Sequence, residues 1–422
     1  METRKTKVIV HSRIRAEKPA MSPVAETRAK KTISVLMTTT SFPVYKNLIS
    51  GPFVHQLATA LGQKPEVEVE ILAPDGVFPK TESNKTQYTL RTFRYAPRRW
   101  QRLAHFPGGI PVALKKIPLL WLFVPVFILS FLLKTVQYGR KKTIIHANWA
   151  STGVISALVG RFCRIPVCAT LRGADVTSLG SSIWTRWTIR FLLTNSTYVT
   201  TVNRAMESQL KHHFPHHAHK VTHIPNGVSD QFLKLTPPTP GKRIKLIAIG
   251  SLIPRKSFTT LLIALRGTER AFSLTIVGDG PEKEALVNAT KEYGLVSNVT
   301  FLGNQPATAI PNLLNDHDVL VLSSLSEGRP NVVLEAMAAG RAVISSKLPG
   351  VEELIEHQVS GLLYSAADPD SLRENLLTLS NNPSLIPLLG KAARNVILNQ
   401  GLTWEASALH YTNLYRRALK AL

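Results

Sequence analysis

Two glutamates eight positions apart, Glu327 and Glu335, stand in Ser326-Glu-Gly-Arg-Pro-Asn-Val-Val-Leu-Glu335, which Ala-Met-Ala-Ala-Gly340 closes. A carboxylate accepts two hydroxyl hydrogen bonds side by side, so a spaced pair of carboxylates can grip two diols. The residues between them suit an anion. Gly328 lets backbone approach a ligand, Arg329 adds a charge, and Pro330 fits an early helix position where its missing N–H costs nothing. The free N–H groups around Asn331 and Val332, at the positive end of the helix dipole, favour negative charge. A molecule with a ribose diol and a hexose diol flanking a diphosphate, a nucleotide sugar, satisfies both demands. Glu335 also lies within the apolar run Val332–Ala339, where a carboxylate without a partner is costly to bury.

A second group of residues complements the first. Gly250-Ser-Leu-Ile-Pro-Arg-Lys256 follows an apolar block and ends in two adjacent cations, Arg255 and Lys256. Placed beside the glutamates, they would neutralise a diphosphate leaving group as its glycosidic bond breaks. Gly278, in Val277-Gly-Asp-Gly-Pro281, marks a tight turn at a strand end. The histidines of His212-His-Phe-Pro-His-His-Ala-His219 have no carboxylate or cysteine beside them and read as a solvated surface segment, so no metal site is assigned.

The glutamate segment resembles the E-x7-E motif of GT-B glycosyltransferases, specifically the large retaining family 4 group. That resemblance implies an α/β fold of two Rossmann-like doubly wound domains facing a central cleft. It also implies a donor held by the second domain, transfer with retention, and no metal or other cofactor, the UDP- or GDP-linked sugar being substrate. Within it, Glu327 would face the hexose and Glu335 the ribose. Lys256 matches the family's phosphate-binding lysine. The arginine that usually follows the glycine is replaced by Ser251, and Arg255 is the candidate substitute. Phe301-Leu-Gly303 and Pro349-Gly350-Val-Glu-Glu353 resemble segments near the donor, and Ile224-Pro-Asn-Gly-Val228 resembles the element closing the first domain. Three first-domain segments resemble the interdomain face: Ser41-Phe-Pro43 with Gly51, whose helix start would meet the donor phosphate; His146-Ala-Asn-Trp149; and Thr170-Leu-Arg-Gly-Ala-Asp175. The last commonly reads His-Gly-x-Asp. Here Arg172 replaces the histidine, and an arginine cannot act as a base at neutral pH. It can pair with phosphate or a charged acceptor, while His146 and Asp175 are assigned to the acceptor side.

The elements that must position these residues alternate regularly. Strand-type blocks occur at 32–37, 67–72, 90–95, 143–146 and 166–170, with helical spacing in Pro52–Leu61 and elsewhere between them. After the proline-rich Leu235-Thr-Pro-Pro-Thr-Pro-Gly241, a second series runs through 244–249, 274–277, 299–302, 319–323 and 343–345. Such βα alternation implies parallel sheets with ligands at the strands' carboxyl ends. The expected divisions are a basic disordered arm at 1–31, a first domain at 32–235, a donor domain at 236–402, and a terminal helix at 403–422 crossing back onto the first domain.

The net charge of +24 is concentrated in one half. Residues 1–235 hold 33 basic and 11 acidic side chains, against 18 and 16 in the rest. Residues 80–142 alone carry 13 Lys/Arg against the single Glu82, and surround the apolar Ile117–Leu133. This run is compatible with a buried core helix, partial insertion into an anionic leaflet, or a span interrupted by Pro118 and Pro125. The apolar centre and the lack of any nucleic-acid module argue against nucleic acid as the partner. The arm has no apolar stretch of a secretory signal, and Met21 is a second candidate start. Cys163 and Cys168 fit small buried residues in a reducing compartment. The sequence thus suggests a hexosyltransferase, peripheral at the cytoplasmic face of a membrane, acting on a lipid-linked or glycan acceptor. An epimerase or hydrolase on the same fold and a non-catalytic membrane adaptor are the rival readings.

Overall fold

The computed structural model describes residues 32–44, 51–76, 87–106 and 109–421; the basic arm lies outside the described residues. Among the described residues, thirteen strands form two sheets. The first contains β1 (Ile33–Thr38), β2 (Val67–Pro74), β3 (Thr89–Phe93), β4 (Ile144–Asn148), β5 (Val167–Leu171), β6 (Tyr198–Thr201) and β7 (Val221–His223), in the order β3-β2-β1-β4-β5-β6-β7. The second contains β8 (Ile244–Ile249), β9 (Phe272–Val277), β10 (Val299–Gly303), β11 (Val319–Leu322), β12 (Ala342–Ser346) and β13 (Leu362–Tyr364), in the order β10-β9-β8-β11-β12-β13. Every pairing is parallel. Both sheets are therefore doubly wound α/β units, and each reverses its strand order once, between β1 and β4 and between β8 and β11.

Central strands of a parallel sheet are covered on both faces, which is why β4, β5, β11 and β12 are buried at every residue. The two-residue period of the strand assigns each side chain to a layer. In β1, Val35 and Met37 point to helix Pro52–Gly62 and the terminal helix Trp404–Lys420, while Leu36 joins Phe93, Phe127 and Phe131 on the other face. In β4, Ile144 belongs with the terminal helix, and Ile145 and Ala147 face the opposite layer.

The boundary falls earlier than the proline-rich linker suggests. Val228 and Phe232 are buried in the second domain's core, with Leu233 and Leu235 against it, so the chain has changed domain by Val228. It returns at Thr403, which lies beside Val228 in an isolated parallel bridge. The Val228 N–H donates to the Leu402 carbonyl at 3.0 Å, and a Cβ on Gly227 would stand 2.2 Å from the Trp404 nitrogen. Both covalent crossings are thus in contact. The terminal helix then buries Trp404, Tyr411, Leu414 and Tyr415 in the first domain.

The apolar run near 117–133 forms a 3-10 turn at Pro118–Phe123 and helix Val124–Gly139. Leu120, Phe127, Phe131 and Thr135 pack inward. Leu119, Trp121, Leu122, Val126, Ile128, Leu129 and Leu133 remain exposed, Leu122 at 70%. Pro118–Gly139 is long and apolar enough to cross a membrane by length and composition, but it is the crossover from β3 to β4, whose strand is central in the sheet. One face serves as core, and the other does not.

Candidate active site

Because β8 and β11 are neighbours and parallel, the loops at their carboxyl ends emerge side by side at the point where strand order reverses. The β11 loop carries Glu327 and leads into helix Asn331–Ala338; the β8 loop turns through a 3-10 segment, Pro254–Lys256. The loops are tied together. The Ser323 hydroxyl donates to the Lys256 carbonyl at 2.8 Å, and the Leu325 N–H to the Arg255 carbonyl at 2.8 Å.

Glu327 receives both cations of the facing loop. Lys256 Nζ is 2.5 Å from its Oε1, the Ser324 hydroxyl donates to the same oxygen at 2.7 Å, and Arg255 Nη1 is 3.4 Å from Oε2. Burial alone would raise its pKa, but the charges of Lys256 and Arg255 outweigh it and hold the carboxyl below its ordinary value. Arg255 also donates to the Ser326 carbonyl at 2.5 Å. Gly250 lies beneath the lysine: a Cβ there would be 3.3 Å from Lys256 Cε. Gly278 has φ +141°, and its Cβ would sit 1.9 Å from the Gly250 carbonyl, so the two glycines set how closely the strand-end turns approach.

Glu335 is the opposite case. It sits one turn into helix Asn331–Ala338, and among the described residues its carboxylate has no hydrogen-bond or ion-pair partner. Desolvation pushes its pKa up to about 8. The two carboxylates of one motif are thus shifted in opposite directions by their surroundings.

The first domain meets this motif through backbone. A Cβ on Gly328 would be 2.2 Å from the Arg172 carbonyl, one on Gly173 would be 2.6 Å from Gly328 Cα, and one on Gly350 would be 1.9 Å from the Gly328 carbonyl. Asn203 caps helix Arg204–His213 by accepting from the Met206 N–H at 2.7 Å and donates its amide to the Gly328 carbonyl. Arg329 pairs with Glu353 of its own domain at 3.6 Å and donates across the interface to the Val202 carbonyl at 3.4 Å, so its charge is already engaged by protein groups. Pro330 precedes the helix and is buried, whereas Asn331 and Val332 are half-buried, the Asn331 side chain accepting from Asn226 at 2.9 Å.

The segments expected on the first-domain wall divide in two. Gly51 has φ +68° and caps helix Pro52–Gly62, its Cβ position blocked by the Ser41 carbonyl at 2.1 Å. Arg172 is buried, donating to Asn226 Oδ1 at 2.7 Å and Asn148 Oδ1 at 2.5 Å, with its guanidinium 4.7 Å above the Phe53 ring. His146, expected on the acceptor side, is instead fully enclosed. It has the same strand parity as Ile144 and therefore faces the terminal helix, with Nδ1 2.6 Å from the Tyr415 hydroxyl and Nε2 2.8 Å from the Thr170 hydroxyl. Burial, reinforced by the Arg172 charge, depresses its pKa to about 3, so it is a neutral structural group. Asp175 is also corrected: its two oxygens accept the backbone N–H groups of Ala150, at 2.9 Å, and Arg172, at 2.8 Å, fixing the turns after β4 and β5. Burial raises its pKa, against those backbone bonds.

Ser324, Asn148, Asn203 and Asn226 were not singled out as site residues from sequence. Asn226 lies in an Asn-Gly pair that reads as a turn, and only the folded chain places its amide between Arg172 and Asn331. Asp279 uses its carboxylate within its own turn, on the Gly280 N–H and Lys283. Among the described residues no cluster of three or more His, Cys, Asp or Glu could hold a metal ion.

Two facing doubly wound domains, with paired carboxylates and two cations at the second domain's switch point, define a GT-B glycosyltransferase. Comparison with known proteins agrees. A family model described as Glycosyltransferase Family 4 matches residues 51–232, and one described as Glycosyl transferases group 1 matches 231–396. The chain belongs to the group 1, family 4 glycosyltransferases. It is similar to the N-acetyl-alpha-D-glucosaminyl L-malate synthase of Bacillus anthracis, 26% identical over 70% of this chain and 81% of that one. It also resembles the lipopolysaccharide core biosynthesis glycosyltransferase LpsD of Rhizobium meliloti, 32% identical over 43% of this chain and 52% of that one. The solved structure of Anabaena HepE in complex with UDP and glucose shares the fold, with a TM-score of 0.70 at 20% identity, covering 92% of this chain and 100% of that one.

Proposed function

We propose that this chain transfers a hexose from a nucleotide diphosphate sugar, with retention of configuration and without a metal ion, to a lipid-linked or glycan acceptor held at a membrane, in surface polysaccharide or glycolipid assembly. The observation that carries the reading is the contrast between Glu327, clasped by Lys256 and Arg255, and the desolvated Glu335, which has no partner among the described residues. A ribose diol would supply the hydroxyls that Glu335 lacks, and a diphosphate entering beside the helix start would share the two cations with Glu327. Those cations offset the charge that develops on the leaving diphosphate, the task a metal performs elsewhere. With Arg172 unable to act as a base, the departing phosphate oxygen is the group that accepts the acceptor's proton on the same face.

The acceptor side rests on the exposed apolar surface. Trp184, 80% exposed, and Trp187, 65% exposed, begin helix Ile183–Asn195, and Trp121 and Leu122 begin the apolar crossover helix. Both helices flank Ala150–Cys163, and both start at the carboxyl ends of the strands, where the cleft opens. Exposed Lys115 and Lys116 precede the first of these segments in sequence, and exposed Arg186 and Arg190 lie on the second helix. Apolar side chains with cations nearby in sequence suit an anionic leaflet, and a domain docked this way sits at its cytoplasmic face with the cleft toward lipid-borne substrates. The similarity to LpsD, named for lipopolysaccharide core biosynthesis, supports the same substrate class.

The test is transfer of labelled sugar from a panel of UDP- and GDP-sugars into extracted membrane lipid, in the presence of a chelator, with the product's anomeric configuration determined. Retained, chelator-resistant transfer that Glu335→Ala abolishes is the expected result. Nucleotide-sugar turnover without acceptor would favour the hydrolase or epimerase reading, and absence of nucleotide binding would remove the enzymatic one.

A further inference from the structure

The first-domain wall of the cleft holds a buried cation with no ion-pair partner among the described residues, the Asp175 carboxylate acting on it only at longer range. Arg172 is 8% exposed. Its two terminal nitrogens are taken by neutral amide oxygens, those of Asn226 at 2.7 Å and Asn148 at 2.5 Å, and its Nε–H is buried with no acceptor among the described residues. Asp175, the carboxylate nearest in sequence, has both oxygens on backbone N–H groups, and among the described residues no carboxylate lies within ion-pair distance of the guanidinium. A buried cation hydrogen-bonded only to neutral groups is costly until an anion joins it.

A second buried donor borders the same aromatic ring. Trp149, in the left-handed region at φ +82° as β4 gives way to helix Ala150–Cys163, has its indole N–H buried without an acceptor among the described residues. Its indole packs edge-on to Phe53, with ring centroids 5.7 Å apart, and the same Phe53 ring carries the Arg172 guanidinium at 4.7 Å. One charged and one neutral N–H donor therefore border a single aromatic ring. Two donors match the two oxygens of a carboxylate, with the charge balanced by the guanidinium. The diphosphate already has Lys256 and Arg255 on the opposite domain. The Arg172 backbone packs on Gly328, beside Glu327, so this wall belongs to the hexose end of the site.

We propose that Arg172 and Trp149 form a subsite for a carboxylate carried by the saccharide part of the substrates, either a hexuronic acid in the donor or an acidic sugar in the acceptor. This rests on the glycosyltransferase reading above and adds a substrate class to it. In the donor, the C6 carboxylate would occupy the position that a hydroxymethyl group has in a neutral hexose.

Matched ligands that differ only at C6 test it. One arm measures dissociation constants of UDP-glucose and UDP-glucuronate, with the galactose and galacturonate pair alongside. The other measures p-nitrophenyl glucoside and p-nitrophenyl glucuronide in the presence of UDP. A charge-assisted pair at a buried site should favour the carboxylate by roughly 10- to 100-fold in one arm, which also names its source. Arg172→Gln should remove that preference, and Trp149→Phe should reduce it while keeping the ring. Equal affinity within every pair, in a protein that binds UDP, overturns the subsite and leaves the transferase reading intact; a preference that survives Arg172→Gln overturns it as well. Failure to bind UDP at all would count against the underlying reading as well as the subsite.

Discussion

Glu335 should act as a proton counter for donor binding. Its pKa of about 8 follows from desolvation without a compensating partner, so at pH 7 roughly 90% of the free protein carries the proton there. Hydroxyls of a bound ribose favour the ionised carboxylate, and its ionisation on binding would empty the site of nearly all its protons at pH 6 and 7. Donor binding should therefore release about 0.9 proton at pH 7, nearly as much at pH 6, and close to none above pH 9. Linkage fixes the sign: affinity rises almost tenfold per pH unit between 6 and 7 and levels off above 8. Removing the proton at pH 7 costs about 1.4 kcal/mol, the gain recovered at high pH. In the free protein the raised pKa works against stability as pH climbs from the ordinary carboxylate range toward 8, because the folded state holds the proton longer than the unfolded chain. The assay is titration calorimetry with a nucleotide sugar in buffers of different ionisation enthalpy, whose slope gives the number of protons. A diphosphate sugar has no group of its own titrating near neutrality, and Glu335→Gln supplies the control. Zero release by the native protein, or equal release by Glu335→Gln, would refute the account of this carboxylate.

Three further outcomes follow from the same geometry. Lys256→Ala removes the 2.5 Å ion pair to Glu327 and the cation facing the leaving group, and should lower the transfer rate about 100- to 1000-fold with little change in thermal unfolding. Gly328→Ala brings a methyl within 2.2 Å of the Arg172 carbonyl; it should force the domains apart, abolishing transfer while each domain keeps its own fold, as small-angle scattering and circular dichroism would reveal. Leu122→Glu combined with Leu129→Glu alters only exposed positions, and should reduce sedimentation with phosphatidylglycerol vesicles at least tenfold at unchanged melting temperature. Undiminished vesicle binding by that variant would exclude the apolar helix face as the contact.

The sequence made the second domain more legible than the first. Five of its strands are mostly apolar, only the short Leu362–Tyr364 being missed, and Glu327, Lys256 and Arg255 lie in loops of neighbouring strands, so motif order and βα alternation placed them together. Short strands escaped notice because Tyr198–Thr201 and Val221–His223 are partly polar and take their burial from neighbours in the sheet. His146 illustrates a different loss. Its segment ends at the cleft, but a single step of strand parity turns that side chain away from the ligand and under a helix 269 residues further along. Arg329 was assigned by its position in the motif, and only the folded chain reveals that its guanidinium pairs with Glu353 and reaches the Val202 carbonyl. Asn226 and Asn148 gain importance through a side chain far away in sequence, which local pattern does not record.

The double crossing at Val228 and Thr403 makes the first domain discontinuous in sequence: it consists of residues between 32 and 227 together with the helix Trp404–Lys420. Cutting the chain at the linker would therefore give one fragment with an uncovered sheet face, missing Tyr411 and Tyr415, and another trailing an orphaned amphipathic helix. Reconnecting residue 420 to residue 32 and opening the chain at the crossing would instead divide the protein along its own seam. Nature's last helix is, in effect, a clasp that lets the second domain be treated as an insertion within the first.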